Sequence, residues 1–395
     1  MRFRSILLTI CAMALLSPFH ASAQTRDKPK DDPEVKLGRD GAAENEKEVK
    51  LITDPAIVER VNKIGQVIAT VANEIMVPAH WGSSNVKKFI YTFKVVDDKD
   101  VNAYSLPGGF IYVHKGLIDY VHSDDELAGV LAHEVAHAAH HHMLKLLAEQ
   151  RKMQIPGLLA VIGTAMISKD KADSTAKSLM AMQLYMTAKL NSYGIEAEKD
   201  ADQAGMIYLT HTSYSPVGLL TFMERLARDE TRGPEHELGI FRTHPPSPER
   251  AQSALAELED LKIAVHRREV DPQAKALVAT VMLNGAPVAQ VKMYKTVIAN
   301  LADTSDSKGA DRAKSACDLI NSLFDDGLQM YELRKSMDGT KLMARNVTLI
   351  AFKPEDAAAN HSTVTQITAD SLKAVQSLLW QDQFNKPVGR ATNTK

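Results

Sequence analysis

Apolar residues recur at helical spacing at Val58, Val61, Gly65, Ile68, Ala72 and Ile75, behind an Asp54-Pro55 pair suited to a cap and first turn. Phe89, Tyr91, Phe93 and Val95 then alternate with outward positions, which predicts a half-buried strand. Val101 to Val113 sets Pro107-Gly108-Gly109 between two apolar stretches and predicts a hairpin. Ser123 and Glu126 have capping-box spacing, so a long helix should start near Asp124 and carry His133, His137, His140, His141 and His142. Further helices are predicted at about 172–191, 193–209, 216–230 and 248–261. The first of these is rich in methionine (Met180, Met182, Met186), suited either to core packing or to an adaptable substrate surface.

Beyond Val270 the pattern changes. Asn284-Gly285 between β-prone arms predicts a hairpin over 278–291, followed by a helix near 311–324, strands over 327–333 and 341–352, and a closing helix near 363–380. The chain therefore reads as α+β: a mostly helical body with a small β-sheet over 49–265, then a small accessory α+β domain over 271–395.

The first residues look like a processing signal. Arg2 and Arg4 precede an apolar run from Ile6 to Leu16, and Ala21-Ser22-Ala23 gives the small-x-small cleavage pattern, so export with a mature start at Gln24 is expected. A bacterial periplasmic location follows from that expectation. Cys11 would leave with the signal, and Cys317 alone allows no intrachain disulfide. Residues 24–48 are charged and nearly lack large apolar side chains, which reads as a linker. Ile155 to Ile167 is apolar but shorter than the roughly 20 residues of a membrane helix, and is interrupted by Pro156, Gly157 and Gly163. It reads as a buried or hairpin segment, or as a flap over a cleft, and no transmembrane span is expected in the mature chain. The formal charge of −2 over 395 residues carries no basic excess and argues against nucleic acid as partner.

His133-Glu134-Val135-Ala136-His137 is H-E-x-x-H on a predicted helix. Four residues advance a helix by about 400°, so both imidazoles project from one face and can share a tetrahedral zinc ion. Glu134 lies beside them, placed to act on a water. A third ligand must come from elsewhere. On the helix predicted near 193–209, Glu198 and Asp202 share the apolar face with Ile195, Gly205, Met206 and Leu209, whereas Glu196 and Asp200 fall on the other side. A carboxylate on an apolar face needs a metal or a cation, so Glu198 is the candidate ligand, and Asp202 is a candidate to orient a ligand histidine through its ring N–H. An exposed acidic helix accounts for Glu196 and Asp200. Gly129, Ala132, Ala136 and Ala139 form a small-residue stripe that would admit this second helix closely. His140 lies about 10.5 Å along a continuous helix from His133, too far to share its metal. His140, His141 and His142 are accordingly read as surface residues or as support behind the ligands.

These motifs resemble the HtpX/BepA type of zinc metallopeptidase, gluzincins related to the CaaX prenyl proteases, over about 41–261. Asn102-Ala103, then Pro107-Gly108-Gly109 and Gly116-Leu117, match the family's strand region. Its H-E-x-x-H helix with a later histidine matches His133, His137 and His142. Its third-ligand motif matches Glu198, Ala201, Asp202 and Gly205, and its His-Pro followed by arginine matches His244-Pro245 and Arg250. The family usually has arginine near Tyr193 and glutamate at Asp200, so the charge around the centre departs from the pattern.

The resemblance implies a zincin-type body with one Zn²⁺ on His133, His137 and Glu198, and Glu134 as general base. His244 would stabilise an oxyanion or occupy the open metal position in a latent state. From the residues alone it is equally a loop histidine beside two prolines. Arg250 would anchor this loop, and the strand at Asn102 and Ala103 would bind extended peptide by strand addition. The function expected is an exported metalloendopeptidase for misfolded or damaged envelope polypeptides, with an envelope protein as possible partner of the C-terminal domain. The alternative is a latent zinc-binding chaperone or assembly factor.

Overall fold

Residues 33–48, expected as linker, form helix α1 (Pro33–Glu48). Composition misleads here because α1 packs through small and polar residues. A Cβ on Gly38 would lie 1.7 Å from the Pro107 carbonyl oxygen. Buried Asn45 accepts the Tyr104 hydroxyl at 2.9 Å, and Glu46 accepts that of Tyr112 at 2.8 Å. The computed structural model describes residues 32–152, 194–230, 240, 244 and 248–384. The expected signal, the segment 155–167 and the methionine-rich helix lie outside the described residues.

Asp54 caps helix α2 (Pro55–Glu74) by accepting the Ala56 N–H at 2.9 Å, and the apolar face predicted from Val58 to Ile75 is its packed face. Gly65 lets α2 lie on Phe93, whose ring would be 2.6 Å from a Cβ there. Strand β1 (Thr92–Val96) pairs in parallel with β3 (Phe110–His114), and β2 (Ala103–Leu106) pairs with β3 antiparallel, giving the order β1-β3-β2. The turn from β2 to β3 places Gly108 and Gly109 at φ +77° and +90°, which suits residues without a Cβ.

After the short α3 (Lys115–Tyr120), Ser123 accepts the Glu126 N–H and starts α4 (Asp124–Ala139). Of the five histidines expected on one helix, α4 carries His133 and His137. His140 caps its C-terminus, His141 takes φ +57°, and His142 opens α5 (His142–Lys152). Helix α4 is the centre of the body, contacting α2, β2, α6 (Ile195–Leu209) and α7 (Val217–Glu230). The small-residue stripe admits both later helices. A Cβ on Gly205 of α6 would lie 3.1 Å from the Ala132 carbonyl carbon, and one on Gly129 would lie 2.7 Å from the Leu219 nitrogen. Helix α8 (Pro248–Asp260) packs on α6 and α7.

Helix α9 (Arg267–Val270) leads to a separate apolar core. Its Arg267 pairs with Glu224 of α7 at 2.7–2.8 Å, while buried Arg268 bonds Asp325 and Asp382. The predicted hairpin is β4 (Ala276–Leu283) and β5 (Ala286–Met293), with Asn284 and Gly285 both at positive φ. Strand β6 (Thr296–Leu301), which the pattern did not predict, completes this sheet behind a turn at Tyr294. Helix α10 (Gly309–Asp325) follows. The strand expected over 327–333 is mostly turn: Gly327 sits at φ +73° and Met330–Glu332 form a single 3₁₀ turn. The third sheet is β7 (Leu333–Lys335), β8 (Lys341–Ala344) and β9 (Val347–Ala351); the short α11 (Pro354–Ala359) packs on β6, and α12 (Val364–Phe384) packs on β6, β7 and β8. No helix among the described residues is long and apolar enough to cross a membrane.

Candidate metal centre

The i, i+4 spacing on α4 aims the Nε2 atoms of His133 and His137 at one point, 3.0 Å apart. Helix α6 brings Glu198 to the same point, with Oε2 3.4 Å from His133 Nε2 and Oε1 3.5 Å from His137 Nε2. His244 completes the group, its Nδ1 3.2 Å from His133 Nε2 and 3.1 Å from Glu198 Oε1. All four side chains are buried, and one donor atom of each lies within 4.8 Å of the rest. Three imidazole nitrogens and a carboxylate oxygen converging in a buried site form the donor set that zinc and related divalent metals accept, and the residues fit such an ion.

Charge at the centre is set by its surroundings. Burial disfavours an ionised Glu198, yet His244, Arg250 and both α4 histidines hold its carboxyl well below the usual range. Burial likewise pushes His133 down, but Asp202 and Glu198 more than offset this and lift it to about 10, so the two carboxylates favour positive charge at this ring. His137 goes the other way, lowered chiefly by burial and then by His133. Asp202, predicted to stand behind a ligand, places Oδ1 2.8 Å from His133 Nδ1 as a close ionic contact not in line for a full hydrogen bond. Arg250, expected to anchor a loop, grips two carboxylates: Nε and Nη2 donate to Asp202 at 2.8 Å each, and Nη1 lies 2.9 Å from Glu198.

Glu134 lies beside the cluster with both carboxylate oxygens buried and without a hydrogen bond among the described residues. Its nearest ionic neighbour is His244 Nε2, at 3.3 Å from Oε1. Glu134, His133, His244 and Arg250 share a narrow cleft whose other walls are apolar, among them Val130, Phe222 and Ile240. A buried carboxylate that makes no hydrogen bond among the described residues, on a largely apolar cleft, can take and return a proton. Asn102 and Ala103 stand apart from this cluster at the start of β2, an edge strand of its sheet, and both are buried. That edge reaches the centre further along, where Ser105, Leu106 and His137 line one small cavity.

Sequence reasoning missed a second buried group. Asp200, expected on an exposed face, is 2% exposed and bonds His140 Nδ1, His142 Nε2 and the backbone N–H groups of His80 and Trp81. Burial opposes its ionisation, but these partners hold it below the usual carboxylate range. Apolar periodicity gives α6 a single buried face, while the turn at 80–83 covers the other side. Glu196 is exposed as expected. His141 is only partly buried and faces Glu34 of α1 at 2.9 Å.

Residues 59–258 match the model of Peptidase family M48. The chain is 25% identical over 198 residues to the beta-barrel assembly-enhancing protease of Escherichia coli K12, an overlap of 49% of this chain and 37% of that protein. It is 26% identical over 219 residues to the putative beta-barrel assembly-enhancing protease of Vibrio cholerae, covering 55% and 43% of the two chains. To the metalloprotease LoiP of Escherichia coli K12 it is 30% identical over 212 residues, covering 52% and 78%. It thus spans less than half the length of either assembly-enhancing protease. The matched stretch runs from within α2 to within α8 and takes in every donor of the centre, and by that match the chain belongs to Peptidase family M48.

Proposed function

We propose that the chain is a zinc-dependent metalloendopeptidase of the bacterial envelope, holding one zinc ion through His133, His137 and Glu198. The observation that carries this reading is the position of Glu198, buried and within 3.5 Å of two imidazoles from a different helix, beside a glutamate with no hydrogen bond among the described residues. Bound there, zinc supplies Lewis-acid polarisation of a peptide carbonyl and lowers the pKa of water to about 7. Glu134 takes the proton from the attacking water and delivers it to the leaving amine, a role typically contributing about 10² to 10⁴ in rate. Asp202 holds His133 in register, and Arg250 neutralises both carboxylates behind the centre.

An extended peptide would bind along Val101, Asn102 and Ala103, reading backbone more than side chains. Just before β2 the Val101 carbonyl accepts the Ile240 N–H at 2.9 Å, so a backbone acceptor there already takes an N–H from another segment. Broad specificity toward unfolded chains follows, and we infer misfolded or damaged envelope proteins as substrates, with the C-terminal domain recruiting an envelope partner. The expected signal at 1–23 supports export to the periplasm.

One observation favours a second reading. His244 Nδ1 stands within the donor set itself, in hydrogen-bond range of both Glu198 oxygens. A centre capped by its own histidine is latent until His244 leaves it, as a chaperone or assembly factor with rare cleavage would need. In the alternative role, His244 moves to stabilise the oxyanion. Chelator-sensitive cleavage of an unfolded protein tests the hydrolytic reading, and Glu134→Gln separates the two: loss of cleavage together with loss of the cellular role supports the peptidase, and loss of cleavage alone supports the latent factor.

A further inference from the structure

His142 stands at a junction whose hydrogen bonds leave its ring no choice of tautomer. Its Nε2 faces two oxygens, the Trp81 carbonyl at 2.7 Å and Asp200 Oδ2 at 2.9 Å. A carbonyl can only accept, and an ionised carboxylate does the same, so the ring proton sits on Nε2. The Nδ1 of the neutral ring is then a bare lone pair, and it faces His137 Nδ1 at 2.8 Å. That contact is a hydrogen bond only if His137 Nδ1 carries its proton. His137 Nε2 is thereby left as the bare lone pair aimed at His133, Glu198 and His244.

The surroundings fix the ring's position as well as its proton. Trp81 meets His142 edge to face at 5.1 Å between centroids. Gly82, at φ +112°, presses so close that a Cβ would lie 2.7 Å from His142 Cδ2. Asp200 is a fitting anchor because its other oxygen takes the His80 and Trp81 N–H groups, tying that turn to the same carboxylate. His140, His142 and Asp200 could also be a metal site by composition. Their contacts argue otherwise: the four donors around Asp200 already satisfy its two oxygens without a cation.

We propose that His142 is a positioning residue for the metal centre: anchored on Asp200 and the Trp81 carbonyl, it sets the tautomer and ring orientation in which His137 can donate Nε2 to a metal. The two histidines of α4 are then supported differently, His133 by a carboxylate directly and His137 by a carboxylate acting through a second imidazole. The inference rests on the proposal that His133, His137 and Glu198 bind zinc.

The test compares His142→Phe, His142→Asn and His142→Gln in the full chain by zinc affinity from chelator competition and by the visible spectrum of the cobalt-substituted protein. The asparagine oxygen replaces Nδ1 as acceptor for His137, whereas glutamine reaches the Nε2 position and leaves His137 without one. We expect Phe and Gln to weaken zinc binding about 10- to 100-fold and to shift the cobalt bands, and Asn to recover most of the affinity and the wild-type spectrum. Wild-type affinity in Phe or Gln, or equal loss in Asn and Gln, overturns the proposal. Should the Phe variant fail to fold, the Asn and Gln pair decides alone. A wild-type chain that binds no zinc would instead remove the metal reading on which this one stands.

Discussion

Gly205 of α6 rests on Ala132 of α4, so close that a Cβ would stand 3.1 Å from both the Ala132 carbonyl carbon and the His133 nitrogen. This contact sets the separation of the two helices that supply the donors. Gly205→Ala adds helix propensity of about 1 kcal/mol but forces α6 outward against backbone that cannot yield by a rotamer change. Gly205→Val is expected to cost about 1–3 kcal/mol of stability by overpacking and to weaken metal affinity more than Gly205→Ala. Urea denaturation and zinc titration of the two variants measure both effects.

Arg250 is the counter-charge for two buried carboxylates, and its three nitrogens are all in use. Arg250→Met takes the guanidinium from Asp202 and Glu198 and leaves His133 as their shared cationic neighbour, with an expected loss of about 3–5 kcal/mol for a broken buried pair. Arg250→Lys should recover only part, since an ammonium cannot bridge both carboxylates with the planar fork. Added zinc should stabilise the Met variant strongly, because a divalent ion supplies part of the missing charge. Chemical denaturation with and without zinc reads this out.

The attachment of α1 depends on pH. Glu34 accepts from His141 at 2.9 Å and from Lys87 at 3.2 Å, and its hydrogen bond raises the His141 pKa above the ordinary value, against some burial. A raised folded pKa means that the bond's contribution is fully present below the unfolded value of about 6.5 and is lost as pH rises through the folded value. Helix α1 should therefore exchange amide hydrogens faster on alkalinisation, beyond the intrinsic rate change. His141→Ala should abolish that extra dependence and expose α1 at low pH as well.

How much of this was legible follows from what each residue contacts. His133, Glu134 and His137 declare themselves by spacing along one helix, and Glu198 and Asp202 by being acids on an apolar face. The hairpins were readable because Gly108-Gly109 and Asn284-Gly285 supply the positive φ their turns need. Helix α1 was not, since it docks through Gly38 and Asn45 and shows no apolar stripe. Asp200 was misread because the turn that buries it lies about 120 residues earlier, and local periodicity has no view of it. The break after Ala139 was hidden as well: a run of histidines carries no glycine or proline to announce that His141 takes a left-handed turn.

The central claim is that Glu198 joins two histidines of another helix around one ion. It is tested most directly by the zinc stoichiometry of the purified chain and of its Glu198→Ala variant after dialysis against a weak chelator. The account predicts about one zinc per wild-type chain and almost none in the variant. A Glu198→Ala chain that keeps a full equivalent of zinc would contradict it.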